Sequence, residues 1–303
     1  MRVLFVGSKD RGARCLEALV AAGRDVVGVV TEPDDDPDAF WERSVAETAG
    51  GLGIETYVPE DINEESFVET VRDLGPDLVT MSGFSQILGP EFLAIPTHGV
   101  INLHAGKLPE YRGGSPMNWA MINGETEGTA SIHYATEQID AGGVLAERQF
   151  DIERTDTIAD VRDRTLEMFP EMLTDVVDQI EEGNTSVREF ETDHGTYWGS
   201  RFPQDGRIDW NHMSARDVYN FVRALTHPYP GAFTTYRGKR LFIWEAQPVD
   251  DTIKHTPGRI CMKRDSGRIV TANDRGLLLE TVQPDGGDQQ PAAEFLERGE
   301  YLG

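Results

Sequence analysis

Asn102 and His104 stand two residues apart where the apolar run 99–101 gives way to a Pro- and Gly-rich segment, residues 105–116. In a β-strand, residues i and i+2 lie on one face, so this spacing predicts that the amide and the imidazole look into the same space. The Pro/Gly-rich stretch cannot extend the strand and must turn away, which leaves both side chains at the strand's carboxyl end. In an open α/β sheet that edge is where ligands bind. Asn offers a neutral hydrogen-bond donor and His a group that titrates near neutrality. Together they could stabilise an oxyanion while moving a proton. Read singly, each is also an ordinary cap or turn former.

Two further places could carry chemistry. Asp140 lies between Ile139 and Ala141-Gly142-Gly143; alone, it is one of 53 acidic residues and reads as solvated. Gly7-Ser8-Lys9-Asp10-Arg11-Gly12 follows the first apolar run and opens a helix. It is not a dinucleotide fingerprint, because Lys9 stands where a second Gly would admit the pyrophosphate. Backbone N–H groups with Lys9 and Arg11 suit an anion there, and a plain structural turn is an equal reading.

The elements that must position these residues follow from apolar periodicity. Residues 3–6 and 26–30 read as buried strands around a helix carrying Cys15, Leu16, Leu19 and Val20. Residues 78–81 and 100–103 are the next central strands, 116–122 a helix, 129–134 and 144–150 paired strands, and 158–180 a long amphipathic helix. This alternation implies a parallel sheet with helices on both faces. The segment 32–37 is a charged, Pro-broken loop. A boundary falls near 193–201, separating a first domain, residues 1–195, from a second, 200–303. The second shows short strand-like runs at 241–244, 258–262, 269–272 and 277–281, spaced as in a small β-barrel.

Of 303 residues, 39% are hydrophobic and 9% aromatic, which fits a folded chain and not a disordered one. No run approaches the ~20 apolar residues that cross a bilayer. The start shows no secretory signal, so a cytoplasmic location is expected. Cys15 and Cys261 are too few and too distant for a disulfide framework, and no metal site is expected. The net charge is −25; Lys supplies only five of the 28 basic residues. An acidic, Lys-poor surface resembles that of halophilic proteins, since at molar salt the Debye length of about 3 Å lets crowded carboxylates coexist. The excess is confined to residues 1–200, with 14 basic and 39 acidic residues, whereas 201–303 carry 14 of each.

Asn102-Leu103-His104, then Leu108-Pro109-Glu110-Tyr111-Arg112-Gly113, with Ile139-Asp140-Ala141-Gly142 downstream, resembles the folate-dependent formyltransferase family. That family includes methionyl-tRNA formyltransferase and the sugar N-formyltransferases. Arg223-Ala224-Leu225-Thr226-His227-Pro228-Tyr229-Pro230-Gly231-Ala232-Phe233 is similar to the motif that opens the family's second domain, so the likeness runs over nearly the whole chain. It implies an α/β fold, a Rossmann-like, doubly wound, mostly parallel sheet (the formyltransferase fold), followed by a small OB-like β-barrel. It implies 10-formyltetrahydrofolate as formyl donor and catalysis by Asn102, His104 and Asp140, the aspartate keeping His104 protonated or oriented. It implies a pterin held at Gln86, Ile87 and Leu88 and covered by Thr136, Glu137, Gln138, Ile139 and Asp140. One departure is Gly114, where the sugar enzymes carry an Arg that would otherwise reach folate.

The acceptor is the open point. A tRNA binder draws affinity from Lys and Arg contacts to phosphate, and this chain has no basic run and a neutral second domain. Residues 118–119 and 123–127 resemble the amino-sugar branch. An amino-sugar nucleotide is therefore the expected acceptor, with Lys9 and Arg11 as candidates for its diphosphate. Initiator methionyl-tRNA is the alternative, and a formyl-folate hydrolase or a folate-binding relative is a second.

Overall fold

The structure is a computed structural model describing residues 1–33, 42–250 and 252–303. Residues 34–37 of the charged loop expected at 32–37 thus lie outside the described residues. Tertiary contacts divide the chain into two units. One holds Met1–Pro116, Glu127–Phe150 and Arg162–Gly199; the other holds Met117–Thr126, Asp151–Val161 and Ser200–Gly303.

The first unit opens with β1 (Arg2–Gly7), α1 (Lys9–Ala21), β2 (Asp25–Val30), α2 (Val45–Leu52) and β3 (Thr56–Tyr57). It continues with α3 (Glu65–Leu74), β4 (Leu78–Ser82), α4 (Pro90–Leu93) and β5 (Val100–His104). Next in the chain come β6 (Arg112–Gly113), α5 (Pro116–Ile122), β7 (Glu127–Tyr134), β8 (Val144–Asp151), α6 (Ile158–Glu182) and β9 (Tyr197–Trp198). The main sheet has the order β3-β2-β1-β4-β5-β7-β8. Pairing is parallel from β3 through β5, and β7 joins β5 antiparallel. Central β1 is buried on both faces, with Val3, Leu4, Phe5 and Val6 fully enclosed, which is why it reads as an unbroken apolar run. Strand order reverses between β1 and β4, the switch point at which a doubly wound sheet opens a crevice outside its carboxyl ends. Gly7 pairs with Ser82 at that edge, and a side chain at Gly7 would press into the Ser82 carbonyl.

The second unit contains α7 (Ala215–Leu225), β10 (Ala232–Tyr236), β11 (Lys239–Pro248), β12 (Ile260–Arg264), β13 (Gly267–Thr271), β14 (Gly276–Pro284), β15 (Gln290–Pro291) and α8 (Ala292–Phe295). Helix α7 starts on a reciprocal cap between Ser214 and Asp217 and buries Val218, Phe221, Val222 and Leu225 in the core of this unit. The strands follow the antiparallel order β10-β11-β14-β13-β12, with β15 beside β14. The last residues then close the ring. Tyr301 bridges Arg259 and Leu302 bridges Tyr236, so residues 300–303 lie between the β12 side and β10. These bridges link β10 to the β12 side and close the sheet into a small barrel.

Candidate active site

The carboxyl ends of β1, β4 and β5 bring the candidate residues to one edge. Asn102 and His104 share a face of β5, as their spacing requires. The side chain of Asp140 meets them both. His104 Nδ1 is 3.4 Å from Asp140 Oδ2, and Asn102 Nδ2 donates to Asp140 Oδ1 at 3.3 Å. Asp140 also accepts from the Gly113 N–H at 2.8 Å. It is buried, not solvated, and sits at φ +48, a left-handed conformation that costs a non-glycine residue roughly 1 kcal/mol. The hydrogen bonds to its carboxylate hold it there.

His133 is a fourth member that the sequence reading did not include. It lies opposite Asn102 in the β5–β7 register and is 1% exposed. Its Nε2 is 3.2 Å from Asp140 Oδ1 and 3.2 Å from Asn102 Nδ2, and its Nδ1 faces the Tyr134 carbonyl at 2.8 Å. Because a carbonyl only accepts, Nδ1 carries a proton, and Nε2 faces both the Asn102 amide and the Asp140 carboxylate. One N–H of the Asn102 amide goes to Asp140 and the same nitrogen lies against His133, which fixes the orientation of the side chain. A usable sequence signal existed: Thr129, Ser131 and His133 are polar at alternate positions, separated by Ala130 and Ile132. What the letters lack is the register that sets His133 against Asn102.

His104 is more enclosed than a residue at an open strand end, at 6% exposure, because residues 105–115 fold over it. Its Nε2 donates to the Tyr111 carbonyl at 2.6 Å. Burial pulls the His104 pKa below the ordinary imidazole value, against the opposing pull of the Asp140 carboxylate. For Asp140, burial favours the neutral acid. The neighbouring His104 and His133 rings and the Gly113 N–H outweigh it and hold the carboxyl at about 2.

Of the other candidates, Gln86, Ile87 and Leu88 follow β4, and residues 136–139 follow β7 ahead of Asp140. The Gln86 side chain accepts from Ile62 N at 2.8 Å, Leu88 is buried, and Ile87 stands 56% exposed. The N–H groups of Ile87 and Leu88 make no hydrogen bond among the described residues. Thr136, Glu137, Gln138 and Ile139 are exposed, with the Thr136 hydroxyl closing a turn onto the Gln138 carbonyl at 2.9 Å. The structure does not bring Lys9 and Arg11 together. Lys9 is exposed at a cavity of about 1190 Å³ lined by Glu17, Glu32, Glu42, Glu47 and Glu60 and by Arg43. Arg11 turns instead over the Phe169 ring, 5.3 Å from its centroid. Gly114 donates its N–H to the Trp198 carbonyl at 2.9 Å. No group of three or more metal-ligating side chains occurs among the described residues, and none of their helices is long and apolar enough to cross a membrane.

A donor amide, an imidazole and a buried carboxylate at the edge of a doubly wound sheet have the chemistry to assist proton transfer at a carbonyl carbon. Residues 1–177 match the formyl transferase family profile, and 202–299 match the formyl transferase C-terminal domain. A methionyl-tRNA formyltransferase of Bacillus licheniformis is 33% identical over 97% of this chain and 94% of its own length. The chain belongs to the formyl transferase family, and it is a formyl-transferring enzyme. Two solved structures share the fold. The sugar 3N-formyl transferase WlaRD, determined with dTDP and 5-N-formyl-THF, superposes with a TM-score of 0.68 at 16% identity, covering 94% of this chain and 97% of its own. HypX of Aquifex aeolicus gives 0.65 at 19% identity over all of this chain, which spans about half (52%) of that protein.

Proposed function

We propose that the enzyme transfers a formyl group from 10-formyltetrahydrofolate to the primary amine of an amino-sugar nucleotide. The convergence of Asn102, His104 and Asp140 on one point of the sheet edge carries the chemistry. The donor's flat pterin fits the neighbouring segment: the N–H groups of Ile87 and Leu88 have no partner among the described residues, and Ile87 and Ile139 leave apolar surface exposed. When bound, the donor supplies an activated formyl carbon.

The chain's own groups do the rest. The Asn102 amide donates to the oxyanion that forms as the amine attacks. His104 holds one proton at Nε2, against the Tyr111 carbonyl, and can take a second at Nδ1, against Asp140. An imidazolium there has both N–H groups satisfied. The amine's proton therefore has a place to rest before it passes to the leaving nitrogen. Asp140, ionised at any physiological pH, stabilises that state and needs no proton of its own.

The acceptor reading rests on charge. A chain at −25 with no basic run offers little to a tRNA backbone. The second reading, initiator methionyl-tRNA, is favoured by the full-length likeness to the Bacillus enzyme. The test is an acceptor screen at low and high salt. UDP- and dTDP-linked amino sugars are compared with initiator methionyl-tRNA by mass gain of one formyl group. Formylated sugar nucleotide is the expected product; robust formylation of the tRNA with none of the sugars would replace the acceptor. Release of tetrahydrofolate without any formylated product would point to a hydrolase.

A further inference from the structure

The loop that covers His104 has one turn of its own, Tyr111 N to Lys107 O at 2.8 Å, and is otherwise braced from outside. Its carbonyls at 108, 109 and 110 are taken in succession by one segment: Leu108 O by the Arg188 guanidinium at 3.2 Å, Pro109 O by Thr196 N at 3.2 Å, and Glu110 O by Trp198 Nε1 at 3.0 Å. The next carbonyl, Tyr111 O, is the one that accepts from His104. Beyond it, β6 pairs in parallel with β9; Arg112 N reaches Thr196 O at 3.1 Å and Gly114 N reaches Trp198 O. Between these two bonds lies Gly113, whose N–H holds Asp140. The Tyr111 and Trp198 rings stack, 5.7 Å apart and 11° from parallel. The same segment is anchored at its start, where Arg188 exchanges two backbone hydrogen bonds with Val144.

We infer that residues 188–198 form a strap belonging to the catalytic machinery, and that Trp198 is a positioning residue that sets His104 and Asp140 through the 108–114 loop. The inference rests on the catalytic reading of those two residues. The strap lies outside both family-matched stretches, 1–177 and 202–299. The fit is close: a Cβ on Gly113 would overlap the Trp198 carbonyl, and one on Gly195 would overlap the Pro109 carbonyl. The polar backbone of the loop thus points one way to the strap and the other way to the reacting groups.

The test uses the full chain with Trp198→Ala, Trp198→Phe and Gly195→Ala, the last of which pushes the strap off Pro109 without touching either reacting side chain. Two readouts are taken: NMR titration of the His104 imidazole, assigned with His104→Gln, and steady-state turnover. Trp198→Ala is expected to move the His104 pKa upward by about half a unit or more, as the loosened loop admits water to the ring. It should also lower kcat by about ten- to a hundredfold while KM for the folate donor stays within about twofold, the pattern of lost orientation and not of lost binding. Trp198→Phe keeps a ring on Tyr111 and loses only the indole donor, so it should fall between. A folded variant with an unmoved His104 titration and unchanged kcat overturns the proposal. Should the alanine variant fail to fold, Trp198→Phe and Gly195→Ala decide on the same readouts. The titration needs no substrate, so its outcome stands whether or not an acceptor is found.

Discussion

Asp140 is the residue on which the site's electrostatics turn, and its replacement by Asn separates charge from shape. The carboxylate favours the imidazolium of His104, so Asp140→Asn should drop the His104 pKa still further and shrink its protonated fraction at neutral pH. Turnover is expected to fall by roughly a hundredfold, with the His104 limb of the pH–rate profile displaced to lower pH; an unmoved limb would remove the electrostatic role. Stability has its own sign. The native Asp140 pKa lies at about 2 against an ordinary 3.8, so its stabilisation is present above pH 4 and lost as the pH falls towards 2. By linkage it amounts to about 2 kcal/mol. Urea unfolding at pH 5 and at pH 2.5 should show the wild-type advantage over the variant shrinking at the lower pH. At this scale the shared face of Asn102 and His104 was legible from their spacing, whereas Asp140 read alone as solvated and entered only through the family likeness. The sequence was silent on the Tyr111 carbonyl and the Gly113 N–H, since every residue but proline has both groups and only the fold selects which are used.

Among the elements, the turn that delivers Asp140 from β7 is the tightest. Tyr134 N donates to Gly143 O at 3.0 Å, and a Cβ on Gly142 would overlap the Tyr134 carbonyl and press on Thr136. Gly142→Ala must therefore push the turn away from β7. A cost of about 1–3 kcal/mol is expected, as for overpacking, seen as a lower Tm, together with a loss of turnover larger than that lost stability explains. An unchanged Tm would show that the turn relaxes freely. The long apolar runs were readable as β1, β2, β4 and β5, and the 116–122 helix matches α5. Short elements were not: β6 and β9 are two residues each, paired across more than eighty positions, and no local pattern encodes such a partnership. Nor could periodicity reveal that residues 300–303 complete a barrel, because their contribution is backbone pairing and not an apolar face.

For the molecule as a whole, charge is the leading variable. With 53 acidic and 28 basic residues, mutual repulsion opposes the compact state most at low ionic strength. Raising NaCl from about 0.1 M to about 1 M shortens the Debye length from about 10 Å to about 3 Å and should raise Tm measurably by scanning calorimetry. A Tm that stays level or falls over that range would mean the acidic excess is neutralised locally and does not weigh on folding.

The two contact units also bear on how this protein could be recombined. Met117–Thr126 and Asp151–Val161 precede the strap in sequence yet cluster with Ser200–Gly303. There Asn118 donates to the Ala224 carbonyl at 2.8 Å, and the Arg223 guanidinium reaches the carbonyls of Glu153 and Asp156 at 3.2 and 3.1 Å. A graft that joins residues 1–199 to the tail of a cousin would carry these two segments across with the wrong half, and the borrowed tail would have to satisfy buried amides it never evolved beside. Inheritance in this architecture is therefore in matched sets. The Ser200–Gly303 tail is not a detachable cassette: it can be exchanged between relatives only if the two interleaved segments travel with it.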